Sequence, residues 1–226
     1  WLGLDESGRD LLSRIIYGAR TSLVIGIVSL AIGASIGALF GVLAGAFGGW
    51  VDSLLSRIGD VFFAIPLLLG AIIVLVSLPR STNYWFIILK VVLALTILGW
   101  PSIARLMRSS VIQVKPNDYV QAARALGASP WRVIRSHILP NALAPVIVVS
   151  TINLGGYIAA EATLSFLGIG LQSPAISWGI DISSAIVGLR TTPHMLLFPS
   201  LFLSMAVLAF ILLGDVVRDA LDPKNR

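Results

Sequence analysis

Long uncharged runs are the feature that most limits what this chain can fold into. Five runs of 18 to 29 residues contain at most one charged residue each. They are 21–49, 61–78, 84–104, 143–167 and 195–214. A helix of about 20 apolar residues crosses the hydrocarbon core of a bilayer and satisfies its backbone hydrogen bonds internally. The runs therefore predict an all-α integral membrane protein, a polytopic helical bundle with five spans in this chain.

Composition excludes several other classes of protein. Only 12% of the residues are charged, whereas soluble domains have about 25%. The net charge is +5, but the basic residues lie in short connections between apolar runs, which favours the lipid bilayer and not nucleic acid as the partner. With no Cys and two His outside any ligand motif, we expect no metal site.

The basic residues also predict the orientation of the chain. The connections on one side contain five Arg, and those on the other side contain ten Lys and Arg. The positive-inside rule places the second side, with the C-terminus, in the cytoplasm. Trp1 then lies outside, although the sequence starts with neither Met nor a signal peptide. We therefore expect a further N-terminal span, giving six in the full protein, a multi-pass protein of the cell membrane.

Three parts can be distinguished along the chain. Residues 1–20 are predicted to be an extracytoplasmic amphipathic segment, with an apolar helical face opposite a charged one. That face comprises Leu11, Leu12, Ile15 and Ile16. The transmembrane domain is predicted over 21–216, with a long cytoplasmic loop at 105–142, and a cytoplasmic tail over 217–226.

The loop at 105–142 contains the turn signals of a folded unit. Asn117 or Asp118 is a candidate N-cap for a helix over 119–126. Gly127 follows at the position where helices end in a left-handed residue. Together these signals predict a short helix of two turns.

A second helix is predicted directly after that turn. Ser129 is a candidate N-cap and Pro130 stands at the first helical position. We expect this helix to run from Trp131 to about Leu139 and to stop at Pro140. The loop is thus predicted to be a compact helix–glycine turn–helix unit.

Four separated motifs resemble one family of membrane proteins. AAxxxG at 122–127, followed by HILPN at 137–141, resembles the EAA signature of permease subunits in binding-protein-dependent ABC importers. The segments 2–23, 118–129, 164–170 and 214–224 are similar to those of the oligopeptide, dipeptide and nickel branch. The resemblance covers essentially the whole chain and implies a MetI-like transmembrane domain.

The resemblance implies that the first loop helix is a coupling helix that docks on a cytoplasmic ATPase. The implied docking residues are Tyr119, Gln121, Ala122, Ala123, Leu126 and Gly127. Residues that support the loop are Ser129, Pro130, His137, Leu139 and Pro140. Gln121 stands where the signature has Glu, which removes the charge that a salt bridge to the ATPase would need.

The resemblance also implies the function. This chain and a second permease would form the pathway for ATP-driven uptake of oligopeptides or dipeptides by alternating access. Two ABC ATPase subunits would bind ATP and Mg, and an extracytoplasmic solute-binding protein would deliver the peptide. None of the three Lys lies in a GxxxxGK[ST] motif, so we expect no ATPase activity and no cofactor in this chain. The alternatives are import of nickel chelates or another small solute, or an ATP-independent channel or sensor subunit.

Small and charged residues inside the predicted spans are further candidates. Glycines at every fourth position line one face of the first span, either for packing within the chain or against a second permease. They are Gly33, Gly37, Gly41 and Gly45. Lys90 and Glu161 are the two charges within the spans, and their equal depth permits an ion pair, although Lys90 can instead snorkel to the outer headgroups.

The outer side offers two candidate docking surfaces for a binding protein. By resemblance these are the amphipathic segment and the loop 168–194. Trp178 in that loop is equally suited to anchoring in the membrane interface.

Overall fold

The computed structural model describes residues 2–5, 7–79 and 81–221. Within these residues the regular structure is helical, with no β-strand beyond an isolated bridge between Leu4 and Asp10. Four helices are long and apolar enough to cross a membrane, or five spans if one bent pair counts as one. The predicted all-α polytopic architecture is confirmed.

The helices in chain order are α1 (Leu11–Phe47), α2 (Gly49–Phe63), α3 (Leu67–Ser77), α4 (Tyr84–Val114), α5 (Asp118–Ala125), α6 (Pro130–Val133), α7 (Leu139–Phe166), α8 (Trp178–Ala185) and α9 (His194–Leu221). A π-turn, Ile134–Ile138, joins α6 to α7 without a break. The four long spans are α1, α4, the continuous helix Pro130–Phe166 and α9.

The uncharged run over 61–78 is not a single helix, contrary to the prediction. It contains the end of α2 and all of α3, which are bent by 83° at the break between them. Pro66 lies in this break, where its backbone is extended with a ψ of 127°. Proline donates no N–H and disfavours a helical conformation of the residue before it, which explains why the helix is interrupted here. With 11 residues, α3 alone is about 17 Å long and does not cross a bilayer.

Several helix ends also differ from the prediction. The helix of the opening segment is not separate from the first span, because α1 starts at Leu11 and continues to Phe47. The loop predicted to begin at 105 is helical as far as Val114. The predictions that concern Arg80 and residues 222–226 lie outside the described residues.

Pro140 does not end the second loop helix as predicted. Within the π-turn the N–H of Leu139 donates to the carbonyl of Ile134, five residues back. The wider turn lies directly before Pro140, which has no backbone N–H to donate, and it lets the helix continue past the interrupted hydrogen-bond ladder. The helix therefore continues into α7.

Two compact units are formed by separate stretches of the chain. The first unit contains 1–30, 66–96 and 153–212. Its core draws on α1, α4, α7 and α8, with Leu11, Ile15, Ile25, Val91, Leu95, Ile158, Leu164 and Trp178 among its buried side chains.

Among the described residues, the second unit contains 31–65, 97–152 and 213–221. Its core cluster is formed by Val42, Ile103, Met107, Val111, Val120, Val133, Ile134, Ile138, Ala142 and Val146. Val120 belongs to α5, so the short loop helix is part of this core. In contrast, only 6% of the most apolar window of α9 is buried, as suits a helix that faces lipid or another subunit.

Candidate functional site

The short helix α5 forms where the sequence predicts it and ends in a Schellman motif. Asn117 is its N-cap residue, although its side chain makes no capping bond and its amide donates to the hydroxyl of Tyr119 at 3.2 Å. At the other end, Gly127 has φ +84°, and its N–H donates to the carbonyl of Arg124 at 2.9 Å. The N–H of Ala128 reaches back to Ala123 at 3.1 Å. This pair of bonds satisfies the last carbonyls of the helix.

The two faces of α5 have different environments. Val120 is fully buried in the core of the second unit, and Ala123 is partly buried against the same cluster. On the outer face, Leu126 is 88% exposed and Tyr119 is 43% exposed. The outer face of α5 therefore presents an aromatic and an aliphatic side chain at the surface of the chain.

The structure thus divides the predicted docking residues. Tyr119, Gln121, Ala122, Leu126 and Gly127 are exposed, whereas Ala123 is partly buried. Val120, which holds α5 in place, was missed by the sequence reasoning. Its signal was available, since it is the one β-branched apolar residue within the helix.

Gln121 donates a hydrogen bond through its amide nitrogen, which a Glu at this position could not do. Its amide Nε2 donates to the carbonyl of Lys115 at 3.5 Å, and a carboxylate has no proton to give there. The side chain therefore lies against its own loop.

The residues that support the loop lie where α6 begins and the π-turn ends. Ser129 occupies the N-cap position without a side-chain bond, and Pro130 is in the first turn. His137 is half-buried, and its carbonyl accepts a bond from Asn141 Nδ2 at 2.7 Å. Leu139 packs at the edge of the core cluster, while Pro140 is exposed.

The glycine stripe on α1 packs against α4 within the second unit. A Cβ at Gly37 would lie 2.7 Å from the carbonyl oxygen of Trp100, and one at Gly41 would lie 2.5 Å from that of Ala104. Gly45 lies in the same way against Val111, and Gly33 is buried. The observed contacts of the stripe are those of packing inside the chain, the first of the two alternatives.

Lys90 and Glu161 do not form the ion pair that their depth permits. The ammonium of Lys90 donates to the carbonyl of Pro79 at 3.2 Å and lies 5.7 Å from the ring centre of Phe86. Glu161 is completely buried, and its Oε1 accepts from the Ser165 hydroxyl at 2.7 Å. Equal depth gives no information on the direction in which each side chain leaves its helix.

Three serines surround Glu161 in the first unit. Besides Ser165, the hydroxyls of Ser22 and Ser177 lie in its environment. Ser165 in turn accepts from the N–H of Leu171 at 3.0 Å, and Ser177 caps α8. The carboxyl therefore connects α1, α7 and the segment that leads into α8.

The helix α8 is attached to the start of α1. Trp178 Nε1 donates to the carbonyl of Ile15 at 3.0 Å, and Arg14 Nε donates to Asp181 at 2.9 Å. Trp178 is 3% exposed, so it is a packing residue and the interpretation as an interfacial anchor is wrong. The exposed part of the loop 168–194 includes Val187, at 87%, and Leu189.

Asp181 titrates differently from an exposed carboxyl. Burial raises its pKa above the ordinary value, and the guanidinium of Arg14 only partly offsets this effect. The charge of Arg9 lowers the pKa of Asp181, and the charge of Asp5 raises it.

No ligand set for a metal ion is found in the part of the chain that the structure describes, where no three or more His, Cys, Asp or Glu are suitably grouped.

Comparison with known proteins places this architecture. The family described as "Binding-protein-dependent transport system inner membrane component" matches residues 37–226. The glutathione transport system permease protein GsiD of Pectobacterium atrosepticum is 42% identical over 224 residues, which cover 99% of this chain and 72% of that protein. GsiD of Escherichia coli gives the same identity and coverage.

Solved transporters share the fold. A structure of the MetNI methionine ABC transporter in an inward-facing conformation has a TM-score of 0.77 at 22% identity, covering 97% of this chain and 100% of that chain. An amino acid ABC transporter with histidines has a TM-score of 0.69 at 18% identity, covering 94% of this chain and 99% of that one. Because the family match spans most of the residues and the similarity to GsiD spans nearly all of them, this chain belongs to the binding-protein-dependent inner membrane components, the permease subunits of ABC importers.

Proposed function

We propose that this permease pairs with a second permease to form the pathway by which oligopeptides or dipeptides enter the cell. Permeases of this family act with another permease, ATPase subunits and a binding protein. The similar GsiD proteins are named for transport of glutathione, which is itself a short peptide. That name supports a peptide substrate over a nickel chelate.

The observation that carries the docking part of the proposal is the two-sided environment of α5. Val120 fixes the helix to the core, and Leu126 and Tyr119 project from it. An apolar anchor beside small residues fits a groove on a partner. In this proposal α5 is the coupling helix, its exposed residues bind the ATPase, and ATP and Mg are held by that subunit.

Alternating access then follows from the attachment of α5. When the ATPase subunits close on ATP, they move the coupling helices, and the permease pair changes from inward-facing to outward-facing. The C-terminus after α9 lies in the cytoplasm, and the outer ends of the spans receive the binding protein. The side chain of each peptide varies, which favours a wide pathway over a site with fixed charges.

The proposal is tested by reconstituting the full-length permease with its co-purified subunits in lipid vesicles. We expect ATP-dependent uptake of labelled peptides in the presence of the binding protein, with nickel chelates failing to compete. Competition by nickel chelates but not by peptides would contradict the peptide assignment and favour nickel chelates as the substrate. Solute flux without nucleotide would favour a channel.

A matched pair of variants tests the docking face. Leu126→Ser removes the exposed apolar anchor of α5, whereas Val187→Ser makes a similar change at a residue of nearly the same exposure, 87% against 88%. We expect only Leu126→Ser to lose the ATPase on purification. Equal retention by both variants would contradict the assignment of Leu126.

A further inference from the structure

The last turn of α1 is capped by a lysine from another segment. Lys115 Nζ donates to the carbonyl of Ala46 at 2.8 Å and lies 3.4 Å from that of Gly45. Helix C-termini leave carbonyls without partners and carry partial negative charge, which an ammonium group stabilises. α1 has no basic residue in its own last turn. Lys115 therefore supplies the cation that this end of the helix lacks.

A second contact holds the same turn from the other side of α5. The rings of Phe47 and Trp131 meet edge to face, with centroids 5.6 Å apart. Lys115 precedes α5 and Trp131 follows it, so both flanks of the loop helix are attached to the end of α1. Aromatic pairs in this geometry are stabilising beyond the area that they bury.

The body of α5 belongs to a core cluster that also contains residues of α1 and α4. Val120 shares a core cluster with Val42 of α1 and Val111 of α4. The backbones of α1 and α4 are in close contact at Gly41 and Gly45, so a displacement of the end of α1 is resisted by packing and is not absorbed by a loose joint.

A two-glycine turn directly follows the end of α1. Gly48 and Gly49 have φ +68° and +56°, and a Cβ at either position would meet nothing within 4 Å. The contacts of α5 with α1 thus lie at the last turn of that long helix, directly before the two-glycine turn into α2.

We propose that Lys115 is a positioning residue that transmits the movement of α5 to α1. The inference rests on the proposed function, in which α5 binds the ATPase. The bond is charge-assisted and partly buried, so it is stronger than a bond at the open surface. Without it, α5 keeps its fold through Val120 and the Schellman turn but moves with less effect on α1.

The test compares Lys115→Met, Lys115→Arg and Lys90→Met in the reconstituted complex. Lys115→Met keeps the length of the stem without the charge, and Lys115→Arg keeps a donor for the carbonyls. Lys90→Met makes the same change at a lysine of the first unit that also donates to a carbonyl. The measured quantity is the number of peptides taken up per ATP hydrolysed, together with retention of the ATPase.

We expect Lys115→Met to retain the ATPase and to lower uptake per ATP about tenfold or more, the loss expected for one charge-assisted bond. Lys115→Arg should retain most of the parent's uptake per ATP, and Lys90→Met should have the same uptake per ATP as the parent. Normal coupling in Lys115→Met would overturn the inference, as would loss of the ATPase from it, which would show a role in docking. A parent complex that transports without ATP would overturn the proposed function and this inference with it.

A covalent replacement gives a second test that does not depend on the lysine variants. These 226 residues contain no Cys, so Ala46→Cys with Lys115→Cys can be bridged by a short bis-maleimide once any cysteines elsewhere in the complex have been replaced. We expect poor coupling before bridging and recovery after it. Coupling that stays poor in the bridged protein would overturn the inference.

Discussion

Arg108 binds Asp52 through both arms of its guanidinium. Nε lies 2.5 Å from Oδ1 and Nη2 lies 2.6 Å from Oδ2, which ties α4 to the start of α2. The other arginine on this face, Arg105, makes one bond of 3.0 Å to Asp60, and both of those side chains are about half exposed. The two pairs join the same helices but differ in geometry and burial.

This difference predicts unequal effects of Arg→Lys substitution. Arg108→Lys should lower stability by about 1–2 kcal/mol, because an ammonium cannot make the two parallel bonds of the guanidinium. Arg105→Lys should change stability by less than about 0.5 kcal/mol, because its bond to Asp60 is exposed and a lysine keeps a cation near the Phe63 ring. Thermal unfolding of the purified proteins in the same detergent measures both, and similar shifts would contradict the assigned role of the bidentate pair.

The glycine stripe predicts a position-dependent effect of a single methyl group. Gly41→Ala should lower the unfolding temperature and the yield of assembled complex, since its Cβ would lie 2.5 Å from the backbone oxygen of Ala104. Gly156→Ala, also within a long helix, meets nothing within 4 Å and should be neutral or stabilising by up to about 1 kcal/mol. A neutral Gly41→Ala would show that α1 and α4 separate more easily than their contact indicates.

Hydropathy predicted the existence of the spans but not their ends. Helix α4 continues ten residues beyond the apolar run, and Arg105 and Arg108 within this extension bind carboxylates on α2. Charge marks the end of an apolar run, whereas hydrogen bonding decides the end of a helix. At Pro66 the prediction failed in the other direction, because a helix breaks within an apolar run that hydropathy treats as one span.

The loop was predicted in more detail than the membrane interior. Gly127 and Pro130 act through local backbone geometry, which depends on neighbouring residues alone. The partners of Lys90 and Glu161 depend on how helices are rotated and packed, and a single sequence does not contain that information. For the same reason Lys115 was missed, because its acceptors lie about 70 residues earlier.

The raised pKa of Asp181 predicts how its contribution varies with pH. A folded-state pKa above the unfolded value means that the folded protein holds the proton more tightly. Its stabilising effect is therefore present at low pH and is lost as pH rises from about 3.8 through the raised value. The free-energy difference between the parent and Asp181→Asn should fall across this window and be constant at pH values well above the raised pKa. Unfolding temperatures of both proteins against pH measure it, and a difference that grows with pH would show that attraction to Arg14 dominates.

Glu161 should tolerate loss of its charge but not of its hydrogen bonds. In Glu161→Gln, the amide oxygen can accept from Ser165 while the amide nitrogen can donate to the nearby Ser22, whose hydroxyl has no hydrogen-bond partner among the described residues. Yield and uptake should stay near those of the parent. Glu161→Ala should lower stability by about 2–3 kcal/mol, because buried hydroxyls lose their acceptor and a cavity is left. If Gln proved as harmful as Ala, the charge itself would be required.

Substitution of Gly127 should impair coupling through strain in the backbone and not through steric clash of the new side chain. A Cβ there would meet nothing within 4 Å, yet φ is +84°, a region that costs a residue other than glycine about 1 kcal/mol or more. Gly127→Asp should therefore insert into the membrane normally but weaken the Schellman turn, change the angle of α5 and abolish or uncouple transport. Gly127→Asn, which tolerates this region better, should retain more uptake. Gly8→Asp is the matched control for expression and thermal stability, since Gly8 also has positive φ, +74°, and open space but lies before α1. Unimpaired peptide uptake by Gly127→Asp, at normal expression, would show that the turn does not set the position of the coupling helix.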